Sequence, residues 1–333
     1  MSTEATFYTI ADAGYFPGLV ALLNSLRLTG NKDELVVLDL GLSSGQRSAL
    51  DGHVRIVETP DPLEGRPMLL KAYPHILGET GTIVLIDSDM VVGRDLGDIA
   101  GLAAAGKICA FPDPVPHRGR WFEEWHETLE LRAPLRKGTY VNAGFLALST
   151  EHHPALLGRW WELCHRIPRE QHFARAELAF WAGDQDVLNA LLRSEVPEEA
   201  LAELPGEEEA YPDELLAAEI VDRATLHCEV DGTRLAILHY ALGPKAWERR
   251  APVRLRDDAY VRLLPRLLFE DDVAVQLSPS DVPFWLRPTK QARAFVGSLD
   301  KAHGAARGLA HALPAPVRSK ALELRNSVFR RLA

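Results

Sequence analysis

The chain has 333 residues, 47% of them hydrophobic, and a formal net charge of −10, so it can bury a full core without disulfide or metal staples. An acidic protein is a poor match for a phosphate backbone, which argues against nucleic acid as the main partner. No stretch reaches the ~20 continuous apolar residues of a membrane span.

In chain order, short apolar runs at residues 7–10, 35–40, 54–57, 82–86 and 108–111 read as strands. Residues 16–28 carry apolar positions at helical spacing, and 68–77 suit a short helix. Strands alternating with helices predict an α/β sheet with covering helices. Beyond it, 140–148 reads as a strand, 156–165 as a helix, and a second helix opens at Asp184. Residues 195–219 are densely acidic and contain Pro197, Pro205 and Pro212, which reads as a surface excursion with little part in chemistry. Residues 235–239 suggest another strand and 257–269 another helix. Residues 287–333 hold ten Lys/Arg against Asp300 and Glu323, a tail of +8 on a body of −18. Such a tail suits an anionic membrane surface or its own acidic body.

Cys109, Cys164 and Cys228 are far apart, an odd set without metal-ligand spacing, and the polar first residues lack a secretory signature. The expectation is a soluble cytoplasmic protein, peripheral at the inner membrane face if the tail docks there.

The most informative segment is the run Thr82 to Ile86 ending in Asp87-Ser88-Asp89. An extended backbone sends alternate residues to one side. Two carboxylates ~4 Å apart repel by ~4 kcal/mol at an effective dielectric of 20, and a hard divalent cation with oxygen ligands relieves that cost. Strand ends are also rich in Asp for turn and capping reasons, so the pair gains meaning from three later segments. These are Asn142-Ala143-Gly144, Asp184-Gln185-Asp186, and the run from His239 through Gly243 and Lys245 to Trp247.

In this order the four segments resemble glycosyltransferase family 8, the retaining group that includes glycogenin and bacterial lipopolysaccharide galactosyltransferases. The resemblance covers roughly residues 5–247. It implies a GT-A, Rossmann-like nucleotide-diphospho-sugar transferase fold with a mixed central sheet at 1–250. Within that, 1–111 would be the nucleotide-binding half and 112–250 the acceptor half, with 251–333 a helical extension carrying the basic tail. It further implies that Asp87, Asp89 and His239 hold Mn2+ (or Mg2+) against the diphosphate of a UDP-sugar, with Ser88 between them and Lys245 reaching the phosphates. Gly243 stands four residues after His239 and Ala246 precedes Trp247, where the family pattern has glycine at three and proline.

The resemblance also assigns Asn142 to the sugar hydroxyls, and Asp184 and Gln185 to the neighbourhood of the reacting carbon. Ala11, Asp12 and Tyr15 would meet the nucleobase, and Lys71 a phosphate or the sugar. Each has a plain structural alternative: a strand bulge at 142–144, a helix N-cap at Asp184, a polar turn with Tyr15 on the core, and a solvated helix lysine at Lys71. The segment 113–137, with His117, Arg118, Trp121, Trp125 and His126, is assigned to the acceptor, an unidentified sugar, lipid-linked or small molecule. Trp121 and Trp125 would also suit a helix burying an aromatic stripe. Two other functions remain open: a catalytically silent nucleotide-sugar binder and a nucleotidyltransferase, although Ala11–Gly18 lacks the glycine-rich basic loop of the latter.

Overall fold

The computed structural model describes residues 4–59, 67–114, 121–167, 177–241, 243–248 and 255–312. Pro116, His117, Arg118 and the tail 313–333 lie outside them. The described residues form two compact units that interleave along the sequence, one drawn from within 4–16, 30–88 and 95–209 and the other from within 17–29, 89–94 and 210–312.

The first unit is built on a seven-stranded sheet. In chain order it contains β1 (Ala5–Ala11), β2 (Leu35–Asp39), α2 (Ser44–Leu50), β3 (Arg55–Glu58) and a 3-10 helix at Pro67–His75. Next come β4 (Thr82–Ile86), α3 (Gly97–Ala104), β6 (Ile108–Ala110), α4 (Glu124–Thr128) and β7 (Phe145–Ser149). The unit closes with α5 (Leu156–Cys164), α6 (Asp184–Ser194) and β8 (Leu201–Glu203). The sheet order is β3-β2-β1-β4-β7-β6-β8. Strands β3, β2, β1 and β4 pair in parallel, β7 runs antiparallel to both β4 and β6, and β8 is parallel to β6. Strands β2 and β4 are buried along their whole length, as expected of strands covered on both faces. The 3-2-1-4 order is the one around the switch point of open nucleotide-binding α/β sheets, where ligands bind beyond the carboxyl ends of the strands. Asp87 and Ser88 follow β4 there.

One expectation is overturned here. The acidic stretch 195–219 is no mere excursion: β8 closes the edge of the main sheet, and Leu204, Glu209, Ala210 and Tyr211 are buried. Its apolar residues are too thinly spread among glutamates to show a period. The strand expected at 140–148 is shorter, because residues 140–144 turn, with Val141 bridged to Pro112, before β7 begins.

The second unit contains most of α1 (Phe16–Leu28), β5 (Met90–Val92), α7 (Glu214–Ala217), β10 (Glu219–Asp222), β11 (His227–Val230) and β12 (Thr233–Arg234). It continues through β13 (Ile237–His239), α8 (Ala259–Phe269) and α9 (Lys290–Ala312). A short sheet runs β5-β13-β9, where β9 is Glu209–Ala210. The antiparallel register sets Leu238 opposite Val91 and His239 opposite Met90. A Cβ on Gly93 would stand 2.5 Å from the Leu235 carbonyl, so only glycine lets the strands approach this closely. The buried Asn24 carboxamide on α1 donates to Leu267 O (2.6 Å) and Val275 O (2.7 Å) and accepts from Val275 N (3.0 Å). Ser25 Oγ on the next position accepts from Val92 N at 3.0 Å. Buried polar groups matched so fully fix the helix against its neighbours.

Candidate donor and metal site

In the first unit the carboxyl end of β4 carries Asp87, whose backbone N donates to Gly144 O at 2.9 Å. Lys71, on the 3-10 helix, sets its ammonium 2.9 Å from Asp87 Oδ1, 3.0 Å from Ala143 O and 3.5 Å from Asp184 Oδ2. Its side chain is 13% exposed, so the solvated-lysine alternative is wrong. The reason is that two carboxylates and a carbonyl converge on it. Tyr8, Thr9, Lys71, Ile86, Asp87 and Ala143 help line a small pocket beside β1 and β4.

Asp184 opens α6, but the N-cap is Gly183, at φ 55°, and no side-chain cap bond forms. The capping alternative therefore falls: the Asp184 carboxyl is turned to Lys71 instead. Burial pushes that carboxyl up to about 6; Lys71 opposes the shift and Asp87 adds to it. Gln185 Oε1 accepts from Ala143 N at 3.0 Å and its Nε2 donates to Asp113 Oδ2. One turn on, Asn189 bonds Val141 at both backbone atoms, Oδ1 from N at 2.7 Å and Nδ2 to O at 2.8 Å. Asn142 Oδ1 accepts from Gly144 N at 2.8 Å, and its Nδ2 donates to Glu209 Oε1 at 3.3 Å. Residues 142–144 thus form a turn pinned by α6.

In the second unit Asp89 is 6% exposed. Lys245 Nζ lies 2.6 Å from Asp89 Oδ2 and donates also to Tyr240 O at 2.8 Å. His239 Nε2 stands 3.5 Å from Asp89 Oδ1, and the His239 ring packs edge-on against Tyr211 with centroids 4.8 Å apart. Burial alone would raise the Asp89 carboxyl; Lys245 and His239 together override it and hold the group well below the usual carboxylate range. His239 reaches this place because β13 pairs with β5, and Tyr240 N donates to Asp89 O at 3.1 Å. Within the second unit Asp89 and His239 thus offer a carboxylate oxygen and an imidazole nitrogen 3.5 Å apart, and Asp87 precedes Asp89 by two residues in the chain.

The remaining expected residues are placed as follows. Ala11 ends β1 and is buried, while Asp12 Oδ1 accepts from Gly14 N (2.8 Å) and Tyr15 N (2.9 Å) in a tight turn. Tyr15 is 36% exposed, so it is not packed on the core. Ser88 is buried and Gly243 exposed. Trp125 is fully buried, with Nε1 donating to Ala179 O at 2.7 Å; it serves the core and does not line an acceptor subsite. Trp121 precedes α4 and packs on Trp125 and Tyr140. Sequence reasoning missed Asp113, Asn189, Glu209 and Tyr211. Asn189 alone left a signal, standing one helical turn after Gln185.

No protein-family model and no curated protein matches the chain. Among solved structures it is similar to the apo structure of the bifunctional glycosyltransferase WbbM, with a TM-score of 0.53 and 15% identity over 82% of this chain and 50% of that one. It is also similar to the galactosyltransferase LgtC in complex with donor and acceptor sugar analogs, with a TM-score of 0.49 and 16% identity over 80% of this chain and 98% of that one. For the apo glycosyltransferase GlyE of Streptococcus pneumoniae TIGR4 the TM-score is 0.48, with 14% identity over 74% of this chain and 57% of that one. The chain spans half the length of the WbbM chain it matches. With its mixed, mostly parallel sheet in the order 3-2-1-4 and this likeness to WbbM, the chain has the fold of the GT-A glycosyltransferases.

Proposed function

We propose that the chain is a retaining, metal-dependent glycosyltransferase of the family 8 kind, moving a hexose from a UDP-sugar to an acceptor hydroxyl. The observation that carries this reading is the buried Asp89–His239 pair of the second unit, 3.5 Å apart, with Asp87 two residues before it in the chain, at the carboxyl end of β4, where such sheets bind ligands. The donor set suits Mn2+ or Mg2+: carboxylate oxygens and one imidazole nitrogen. Asp89 Oδ1 is buried without a hydrogen bond, as expected of an atom kept for a cation. A cation held by these three residues would offset charge on the leaving diphosphate.

The chain's own residues supply the rest. Lys71 and Lys245 bring two ammonium groups to the phosphates. Ala11, Asp12 and Tyr15, at the carboxyl end of β1, take the nucleobase, with Ser88 and Gly243 along the donor. Asn142 and Gln185 present amide groups to sugar hydroxyls, and Asp184 lies nearest the reacting carbon. With its carboxyl pushed up to about 6, Asp184 is fully ionised only above that pH. The transferase would comprise 1–250 and the extension 251–333. On α9 and the 3-10 helix Phe284–Leu286 before it, Phe284 and Phe295 are exposed and in ring contact, with Lys290 and Arg293 also exposed on α9. That surface and the basic tail support a peripheral contact with an anionic membrane bearing a lipid-linked acceptor.

Calorimetric titration of UDP with Mn2+, with chelator, and into Asp87→Ala tests the reading. Binding that needs the metal and is lost in the variant is expected, followed by UDP-sugar turnover. Absence of UDP binding under every condition overturns it, and binding without any turnover favours a silent nucleotide-sugar binder.

A further inference from the structure

The side chains of Asn142 and Gln185 are held by the same device. Each carboxamide oxygen accepts from a backbone N–H of the turn, Gly144 N at 2.8 Å and Ala143 N at 3.0 Å. Each carboxamide nitrogen donates to a carboxylate, Glu209 Oε1 at 3.3 Å and Asp113 Oδ2. A carboxamide has two orientations of nearly equal shape, related by a half-turn, that exchange donor and acceptor. An ionised carboxylate only accepts, so it selects the orientation that presents the nitrogen. The backbone of the turn also has anchors that do not involve these two carboxamides. Asn189 holds Val141, Asn142 N donates to Phe111 O at 2.9 Å, and Gly144 O receives Asp87 N.

We infer that Asp113 and Glu209 are positioning residues that set the donor–acceptor polarity of Gln185 and Asn142. A flipped carboxamide would set oxygen against oxygen at each pair. The activity arm of the test rests on the transferase reading; the spectroscopic arm does not.

The Gln185 side-chain amide signals, assigned by their loss in Gln185→Ala, are compared in 15N-labelled wild type and Asp113→Ala. They are expected to move to the position of a water-exposed carboxamide in the variant; unchanged signals overturn the inference. Donor turnover is then measured in a double-mutant cycle of Asp113→Ala with Gln185→Ala. A residue acting only through Gln185 lowers kcat about 10–100-fold, as small misplacements at a reacting centre do, leaves donor KM within about 2-fold, and adds no loss in the Gln185→Ala background. Additive losses overturn the inference. Glu209→Ala with Asn142→Ala gives the parallel cycle. A wild type that turns over no UDP-sugar refutes the transferase reading while the amide signals still decide the role of Asp113.

Discussion

Two lysine–carboxylate clusters, one in each unit, are alike in parts and opposite in outcome. Around Asp87, one ammonium, Lys71, is shared by two carboxylates and a carbonyl, and the more buried acid, Asp184, is pushed up to about 6. Around Asp89, one carboxylate faces both Lys245 and His239 and is held well below its ordinary range. Burial is severe in both. A third buried acid extends the series: Asp258, the N-cap of α8, is pushed up by burial to about 7, eased by the Val261 amide and Arg256 but burdened by Asp257 and Asp300. Burial raises all three, and only at Asp89 do the basic neighbours outweigh it.

The strongest way to break the comparison is to remove the acid from the better-matched cluster. Asp89→Ala leaves Lys245 buried and uncompensated, which costs about 3–5 kcal/mol by the usual penalty for a stranded buried charge. Denaturant unfolding is expected to show that loss, and Lys245→Met in the same background is expected to recover most of it while metal-dependent UDP binding stays lost.

The two acids with raised values sharpen the comparison through pH. A carboxyl whose folded value exceeds its ordinary 3.8 contributes stability that is fully present below about 4 and lost as pH rises through the folded value, about 7 for Asp258 and about 6 for Asp184. Asp258→Asn keeps a capping oxygen and is therefore expected to gain stability on wild type as pH rises from 4 to 8, by up to about 4 kcal/mol. Asp184→Asn follows with the same sign, up to about 3 kcal/mol, saturating about one pH unit earlier. Melting curves at pH 4, 6 and 8 check both, and a gain that is independent of pH would contradict them. The smallest effect belongs to solvent: Glu162 meets Arg159 and Arg166 at 2.9 and 2.8 Å but is 47% exposed. Glu162→Gln is expected to cost under about 1 kcal/mol, less still in high salt.

Much of this was legible in the chain. Thr82–Ile86 is a strand to the residue, because five consecutive β-formers and apolar residues between a glycine and an Asp pair leave few options. Helix α1 likewise matches its apolar spacing at 16–28, and four segments in order point to Asp87, Asp89 and His239 as candidate metal ligands. What escaped notice depended on partners distant in sequence. Nothing local distinguishes Glu209 from the glutamates around it; only the fold sets it against Asn142, 67 positions away. Asp184 looks like a cap because it precedes a helix, yet Gly183 holds that position and Lys71 attracts the carboxyl. Lys245 was expected at phosphates, and its bond to Asp89 joins residues 156 apart.

That last separation also bears on how the protein is made. Strand β5, Asp89 and the Ser25 bond to Val92 can be ready early, but β13 and Lys245 supply the remaining partners of Asp89. At about 5–20 residues per second, translation takes roughly 8–30 s to travel from Asp89 to Lys245. During that interval an acid destined for the interior has neither of its basic neighbours and must stay hydrated. An ionised Asp89 therefore stays hydrated until His239 and Lys245 have emerged, and the second unit closes around that carboxylate only after residue 245 has been made.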